Sequence, residues 1–128
     1  MQHLTPQEAY AFLQSNPNAV FIDVRSEMEY MFVGHPRGSI LIPWVDGPDW
    51  EINPSFVAQV RKAASVNRPV VLICRSGQRS TDAGKALEEA GMSNVYNVKY
   101  GFEGELDDSH HRNSRNGWRF DGLPWAQT

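Results

Sequence analysis

The sequence predicts an α/β fold in three layers, with a central parallel sheet flanked by helices on both faces. Short apolar runs rich in β-branched residues alternate along the chain with helical patterns, which is the order of elements in such folds. The runs are apolar at nearly every position, as expected for strands buried on both faces. With 128 residues the chain has the length of one domain, so we expect residues 1–128 to share one fold.

The first predicted elements are a helix, a strand and a brief second helix. Thr5-Pro6-Gln7-Glu8 combines a capping box with proline at the first helical position, and Asn16-Pro17 ends that helix. The run 19–24 is apolar apart from Asp23 and too short for a helix, so it predicts a buried strand. A second capping-box pattern at 26–29 predicts a short helix after it.

The middle of the chain repeats this alternation. Residues 40–42 predict a strand that Pro43 ends, and the polar segment 44–51 predicts a loop. Asn53-Pro54 opens a helix that closes at 67–69. We therefore expect a helix to lie directly before the strongest strand of the sequence.

That strand is Val70–Ile73, and Cys74 follows it directly. A helix is predicted to begin at residue 80 or 81 and to end at Gly91, with a further strand over Val95–Val98. The stretch 100–128 predicts a loop. Four apolar side chains in it are expected to fasten the loop to the body of the fold: Trp118, Phe120, Leu123 and Trp125.

Composition excludes several classes of protein. Twelve Lys and Arg against 15 Asp and Glu give a net charge of −3, which provides no general attraction for nucleic acid or an anionic membrane, so we expect neither as a partner. The sequence lacks a signal-peptide pattern and an apolar run of ~18–20 residues, so we expect a cytoplasmic protein. One cysteine rules out an internal disulfide, a CxxC pair and a cysteine-based zinc site.

The segment 74–80 has the composition of a reactive cysteine site. Cys74 lies where a buried parallel strand is predicted to end, and ligands bind at the carboxyl ends of such strands. The helix that follows offers unpaired N–H groups and the positive end of its dipole, and Gly77 allows a tight turn whose amides can bind an anion. Arg75 and Arg79 add positive charge. Together these features favour the reactive thiolate form of Cys74.

A packing role for Cys74 competes with this interpretation. A free cysteine after an apolar strand commonly packs as a small hydrophobic residue. Packing does not require two arginines, a glycine and two serines around a helix start, so we favour a reactive thiol. Two reactions use such a loop. In one, the thiolate attacks phosphorus or arsenic, and the backbone amides of the loop must hold a tetrahedral oxyanion. In the other, the thiolate attacks a sulfane sulfur, and the amides form a cradle for a smaller persulfide.

Several short motifs occur in a fixed order along the chain. The first half contains Asp23-Val24-Arg25, Glu29-Tyr30, Gly34-His35, Gly38 and Pro43. The second half contains Cys74-Arg75-Ser76-Gly77-Gln78-Arg79-Ser80, Gly101-Phe102-Glu103-Gly104 and Gly122-Leu123-Pro124. Over roughly residues 5–125 the chain thereby resembles the single-domain rhodanese-like sulfurtransferases. The resemblance implies a three-layer rhodanese-like fold and a cradle for sulfur rather than phosphate.

The resemblance also implies a role for each site residue. Cys74 is the nucleophile that becomes a persulfide, and Asp23 and Arg25 support the site, most simply as a pair that shapes it. The side chains of Arg75 and Arg79 attract an anionic donor such as thiosulfate. The loop whose backbone N–H groups hold the transferred sulfur comprises Arg75, Ser76, Gly77, Gln78, Arg79 and Ser80.

The implied reaction is a ping-pong sulfur transfer. A small donor gives a sulfane sulfur to Cys74, and a thiol, a cyanide-like acceptor or an acceptor protein then removes it. This reaction uses one thiol and no cofactor or metal.

Two other functions compete with sulfur transfer. Phosphatases of the related type carry an arginine six positions after the cysteine, where this chain has Ser80, and usually a histidine before it, where this chain has Ile73. The loop therefore argues against a phosphatase or an arsenate reductase. A catalytically quiet domain, in which Cys74 serves redox sensing or partner docking, stays open because an accessible reactive thiol is also easily oxidised.

A polar insertion is predicted over about residues 105–117. In many family members a tryptophan directly follows the Phe-Glu-Gly motif, whereas here Trp118 comes about a dozen residues later. The His110-His111 pair beside Asp107 and Asp108 lacks a metal-ligand spacing, so we expect no metal site. Three arginines of this region are expected to form a solvated face, with a basic patch for an acidic partner as the alternative: Arg112, Arg115 and Arg119.

Overall fold

The computed structural model describes residues 1–65 and 67–127. Its elements are, in chain order, β1 (Gln2–Leu4), α1 (Pro6–Ser15), β2 (Val20–Asp23), a π-helical turn (Glu29–Val33), β3 (His35–Pro36), β4 (Ser39–Leu41), β5 (Val45–Asp46), β6 (Glu51–Ile52), α2 (Phe56–Ala64), β7 (Val70–Ile73), α3 (Gln78–Glu89), β8 (Val95–Val98) and β9 (Trp125–Ala126). None of the described helices has the length and apolar character needed to cross a membrane.

The predicted α/β class is confirmed by a five-stranded parallel sheet. Its strand order is β1-β8-β7-β2-β4, so β7 lies at the centre, and all four of its residues are fully buried. Strand β2 runs beside β7 in register, with Asp23 opposite Ile73. Because both strands run in the same direction, Val24 and Cys74 follow them at the same carboxyl edge of the sheet.

Helices cover both faces of the sheet, as predicted. Alternate residues of β7 serve two cores, with Val70 and Leu72 in one and Val71 and Ile73 in the other. The helices α2 and α3 complete the first core with Phe56, Val60, Ala64, Ala83 and Leu87. Helix α1 and the C-terminal segment complete the second core with Ala9, Phe102 and Trp118.

Three strand pairings have no counterpart in the sequence predictions. Strand β1 adds an edge to the sheet beside β8, β5 and β6 form a hairpin, and β9 pairs with β3. The prediction of loop over 44–51 and 100–128 is therefore wrong where β5, β6 and β9 lie. Each of these strands has only two or three residues, which is too short for an alternating pattern to be recognised.

The C-terminal segment is fastened to the second core mainly by Trp118. This side chain is 1% exposed, lies 5.1 Å from the Phe21 ring centroid and donates its indole N–H to the carbonyl of Pro124. Leu123 and Trp125 also pack against this core, as expected. The same expectation is wrong for Phe120, which is 49% exposed on the turn that follows Trp118.

We predict that Trp118→Ala lowers the free energy of unfolding by about 3–5 kcal/mol, because it removes a buried indole and the hydrogen bond that its N–H donates to the Pro124 carbonyl. Phe120→Ala, two residues along, should change it by less than ~0.5 kcal/mol. Urea denaturation of both variants measures the difference. Equal losses would mean that Trp118 does not anchor this segment.

Candidate active site

Cys74 lies at the floor of a cleft at the carboxyl edge of the sheet. The cleft has a volume of about 640 Å³. The Cys74 side chain lines it although the residue is only 1% exposed. The other lining residues come from the loop after β7, the first turn of α3, the π-helical turn and three separate loops: Ser26, Glu29, Val33, Trp50, Arg75, Ser76, Gln78, Arg79, Glu103 and Arg112.

Two groups contact the Cys74 sulfur. The Gly77 N–H donates to Sγ over 3.1 Å, and the Ser80 hydroxyl lies 3.2 Å from Sγ. Gly77 has a φ of +113°, a conformation that side-chain-bearing residues rarely adopt, and this turn brings its amide back towards the sulfur. Among the described residues, these are the hydrogen-bonding partners of the thiol.

The cradle is part loop and part helix, which corrects the predicted start of α3. The helix begins at Gln78 with Gly77 as its N-cap, rather than at residue 80 or 81. Arg75, Ser76 and Gly77 therefore form the loop, whereas Gln78, Arg79 and Ser80 belong to the first helical turn. The correction has a physical basis: Gly77 reverses the chain, and its carbonyl accepts hydrogen bonds from the Thr81 N–H and hydroxyl.

Backbone hydrogen bonds from residues 101–103 hold this loop from behind. Phe102 N–H donates to the Cys74 carbonyl over 2.8 Å, and Glu103 N–H donates to the Arg75 carbonyl over 2.9 Å. Because a trans peptide directs its C=O and N–H to opposite sides, the amides of Arg75 and Ser76 point away from this segment. Gly101 allows the close approach, since a Cβ there would lie 2.6 Å from the Arg75 carbonyl oxygen.

The Ser80 hydroxyl belongs to a polar network beside the sulfur. It donates to the Asn97 side-chain oxygen, and the Asn97 amide nitrogen donates to His3 Nδ1 over 3.0 Å and to Thr81 Oγ1 over 3.3 Å. With its proton directed to Asn97, the Ser80 oxygen can accept the S–H of Cys74. The network therefore positions the Ser80 hydroxyl against the Cys74 sulfur.

Arg79 lies in the cleft with its charge already paired. Its guanidinium contacts both carboxylate oxygens of Glu29 over 2.7 and 2.9 Å, and the Trp50 ring lies 5.1 Å from it. Burial works to raise the pKa of Glu29, but the hydrogen bonds and charge of Arg79, together with Ser26, lower it to about 2. Burial works to lower the pKa of Arg79, and Glu29 outweighs it and raises that pKa. From the sequence we expect Arg75 and Arg79 to attract an anionic donor. Because Glu29 pairs with Arg79, the exposed Arg75 is the one of the two whose charge is available for this role.

Asp23 and Arg25 pair with each other below the site. Both are fully buried, and Arg25 reaches the Asp23 carboxylate through Nη2 over 2.7 Å and through Nε over 2.9 Å. Arg25 also donates to the Gly34 carbonyl and lies over the Phe102 ring at 4.6 Å. The pair thus ties the end of β2 to Gly34 and to the segment that holds the loop.

Several cleft and network residues escape the sequence predictions, and four of them have charged, amide or aromatic side chains that matter for the site: Glu29, Trp50, Asn97 and Arg112. The capping-box pattern identifies Glu29 only as a helix-capping residue, although the same carboxylate binds both Ser26 and Arg79. Asn97 carries a signal that could have found it, since it is the polar residue inside an otherwise buried strand. Trp50 and Arg112 lie in irregular segments, and local pattern does not indicate that they reach the cleft.

The arginines near the insertion do not all form the expected solvated face. Arg112 lines the cleft, and Arg119 stacks on Trp125 at 4.3 Å. Arg115 fits the expectation, with its side chain 48% exposed beside Asp108. Within residues 1–65 and 67–127, no group of three or more histidine, cysteine or carboxylate side chains is positioned to hold a metal ion.

The fold and cleft agree with comparisons to known proteins. The family model of the rhodanese-like domain matches residues 5–106. The chain therefore belongs to the rhodanese-like family. The matched segment contains β2, the cysteine loop, α3 and the segment 101–103 behind the loop.

Particular relatives span most or all of the chain. An uncharacterized protein of Rickettsia conorii is 33% identical over 130 residues, covering 98% of this chain and 97% of the relative. The thiosulfate sulfurtransferase GlpE of Haemophilus influenzae is 28% identical over 103 residues, covering 80% of this chain and 86% of the relative.

Solved structures show the same fold. The crystal structure of Rv0390 from M. tuberculosis is 42% identical, with a TM-score of 0.89 and coverage of 100% of this chain and 98% of that one. The polysulfide-sulfur transferase homodimer of Wolinella succinogenes is 26% identical, with a TM-score of 0.66 and coverage of 100% and 80%.

We predict that Gly101→Ala destabilises the protein and displaces the cysteine loop, because the new Cβ would collide with the backbone of Cys74 and Arg75. Gly38→Ala is the matched control: it shares a positive φ, but its Cβ would meet open space. The control should cost about 1–2 kcal/mol of unfolding free energy from backbone strain, and Gly101→Ala at least ~2 kcal/mol more. Urea denaturation tests this, and equal costs would show that the loop tolerates the contact.

The Glu29–Arg79 pair should make stability depend on pH. Because the folded pKa of Glu29 is depressed to about 2, its contribution is complete above the unfolded value of ~4.3 and is lost as pH falls towards 2. We expect Glu29→Gln to cost at most ~3 kcal/mol at pH 7, with the difference from wild type shrinking below pH 4. In an Arg79→Gln background the same substitution should cost much less, and an unchanged cost would contradict the pairing.

Proposed function

We propose that the protein is a sulfurtransferase that moves a sulfane sulfur through a persulfide on Cys74. The observation that carries the proposal is the position of the Cys74 sulfur, at the floor of an open cleft with the Gly77 N–H 3.1 Å away. An amide donor next to the sulfur favours an anion there, first the thiolate and then the persulfide. The names of the relatives from H. influenzae and W. succinogenes support the same chemistry.

In the first half-reaction, the Cys74 thiolate attacks the outer sulfur of a donor such as thiosulfate. A bond forms between Sγ and that sulfur, and the sulfur–sulfur bond of the donor breaks, so that sulfite leaves with the bonding electron pair. The negative charge moves one atom outward, from Sγ to the terminal sulfur. The amides of the loop and the first turn of α3 are proposed to hold this terminal sulfur.

In the second half-reaction, a thiophilic acceptor attacks the terminal sulfur of the persulfide. With cyanide the products are thiocyanate and the Cys74 thiolate; with a thiolate the product is a new persulfide on the acceptor. Neither half-reaction requires an oxidant, a reductant or a second cysteine.

Small thiols, cyanide-like acceptors and acceptor proteins are the proposed partners. A reducing cytoplasmic setting, in which a lone thiol stays reduced, is part of this proposal.

The geometry favours sulfur transfer over phosphate chemistry. A phosphatase needs an arginine free to bind the oxygens of the transferred group. Arg79 is engaged by both oxygens of Glu29, and the next position is Ser80, whose hydroxyl donates to Asn97. Neither Arg79 nor Ser80 therefore provides a free arginine fork at the position where a phosphatase loop has one.

We predict that incubation with thiosulfate adds the mass of one sulfur atom to the intact protein, and that cyanide removes it with release of thiocyanate. Cys74→Ser should show neither the adduct nor thiocyanate above the uncatalysed background, because the chain has no second thiol. Intact-mass spectrometry and a thiocyanate assay measure the two steps. Glutathione persulfide serves as a second donor.

A catalytically quiet domain, the alternative to a sulfurtransferase, would give a different result in the mass measurement. A wild-type protein that takes up no sulfur from either donor, while iodoacetamide still alkylates Cys74, would overturn the proposal. Alkylation shows in that case that the thiol is reduced and accessible, so that a lack of sulfur uptake is not due to an oxidised or blocked cysteine.

A further inference from the structure

The insertion brings a second unpaired arginine to the cleft. The Arg112 side chain lines the cleft beside Cys74, Arg75 and Arg79. Three arginines and two glutamates therefore face the same space, and one of the three, Arg79, is held in a bidentate pair by Glu29. Within the described residues, neither Arg75 nor Arg112 lies within salt-bridge distance of a carboxylate.

The segment that carries Arg112 is held in place by its own hydrogen bonds. Asp107 accepts from the N–H groups of Ser109 and His111 over 2.8 and 2.9 Å and from the Ser114 hydroxyl over 2.5 Å. The hydrogen bonds from Ser114 and His111 lower the pKa of Asp107. These contacts give the segment a defined turn.

A second set of contacts joins this turn to the loop behind Cys74. Asn113 N–H donates to the Glu103 carbonyl over 2.8 Å, and Arg112 Nη1 donates to the Gly104 carbonyl over 2.7 Å. The Glu103 N–H in turn binds the Arg75 carbonyl. The guanidinium of Arg112 is thus anchored through one nitrogen, which leaves its charge and other N–H groups for a ligand in the cleft.

The charges around Arg112 point to an anion. Partial burial lowers the pKa of Arg112, the positive charges of Arg75 and Arg79 lower it further, and Glu103 opposes them. Cations that repel one another across a water-filled cleft are stabilised when an anion enters between them. The chain as a whole has a net charge of −3, so this excess of positive charge is local to the cleft.

We propose that Arg112 is a specificity-determining residue that selects small anionic sulfur donors at the mouth of the Cys74 cleft, acting together with Arg75. The inference rests on the proposed function and names its substrate class. The proposed role of the segment 105–117 is to place the positive charge of Arg112 in the cleft, where Glu29 already neutralises the charge of Arg79. Thiosulfate, a dianion with three terminal oxygens, fits two guanidinium groups on the far side of its transferable sulfur.

The test compares two alkylating reagents of similar size. Iodoacetate carries a negative charge and iodoacetamide is neutral, and both attack the same thiolate. The ratio of their second-order rate constants at Cys74 therefore reports the electrostatic potential of the cleft and cancels any change in thiol ionisation. We expect Arg112→Gln to lower the iodoacetate-to-iodoacetamide ratio by about two- to fivefold at low ionic strength.

Three controls separate a local from a general effect. Arg112→Lys keeps the charge and should keep most of the ratio. Arg115→Gln removes a charge from the same segment, but Arg115 is paired with Asp108 and outside the cleft lining, so the ratio should stay at the wild-type value. Salt at about 1 M, where the screening length is ~3 Å, should bring wild type and Arg112→Gln together.

Steady-state kinetics with thiosulfate test whether Arg112 determines the choice of donor. With thiosulfate as donor, Arg112→Gln should raise KM several-fold with little change in kcat, because Arg112 binds the donor and does not touch the transferred sulfur. An unchanged alkylation ratio in Arg112→Gln, or an equal fall in Arg115→Gln, would overturn the proposal. Because alkylation needs no sulfur transfer, this result is distinguishable from failure of the proposed function, in which no donor transfers sulfur to Cys74.

Discussion

The two backbone hydrogen bonds that Phe102 and Glu103 donate to the Cys74 and Arg75 carbonyls are the constraint on which the site depends. They satisfy the carbonyls on the buried side of the loop, and peptide planarity then directs the N–H groups to the other side. Gly101 is required for this contact because a side chain would collide with the loop backbone. The cradle for the sulfur is therefore built largely by main chain, and a remote segment determines its shape.

The charged side chains around Cys74 differ in how far they are exposed to solvent. The Asp23–Arg25 pair is fully buried and ties structural segments together, at a desolvation cost that close pairing offsets. The Glu29–Arg79 pair is half-buried and neutralises the first turn of α3. Within the described residues, three charged side chains of the cleft lining have no salt-bridge partner: Arg75, Arg112 and Glu103. Three arginines against two glutamates leave the charged side chains of the lining with one net positive charge, which favours an anionic ligand.

The sequence predicts the sheet, the three helices and the cysteine loop because these depend on local pattern. β7 is a continuous apolar run, Thr5 and Glu8 form the expected capping box, and Cys74 follows the strand as predicted. The start of α3 is misplaced because the cap is Gly77, whose positive φ is not encoded in hydrophobic periodicity. The Glu29–Arg79 pair spans 50 residues and the Asn97–His3 contact 94, so only the tertiary fold reveals them.

The base of the segment 105–117 has a consequence for how the chain tolerates changes in this segment. Gly104 and Gly117 lie so close that a Cβ on Gly117 would be 2.7 Å from the Gly104 nitrogen, and Asn116 binds back to Glu105. The ends of the segment are therefore joined before its tip is built, and the entropic cost of a longer or shorter tip grows only with the logarithm of its length. A change in the length of the tip therefore costs little entropy, whereas a change that displaces Arg112 or Asn113 also removes a contact to residues 103 and 104 behind the cysteine loop.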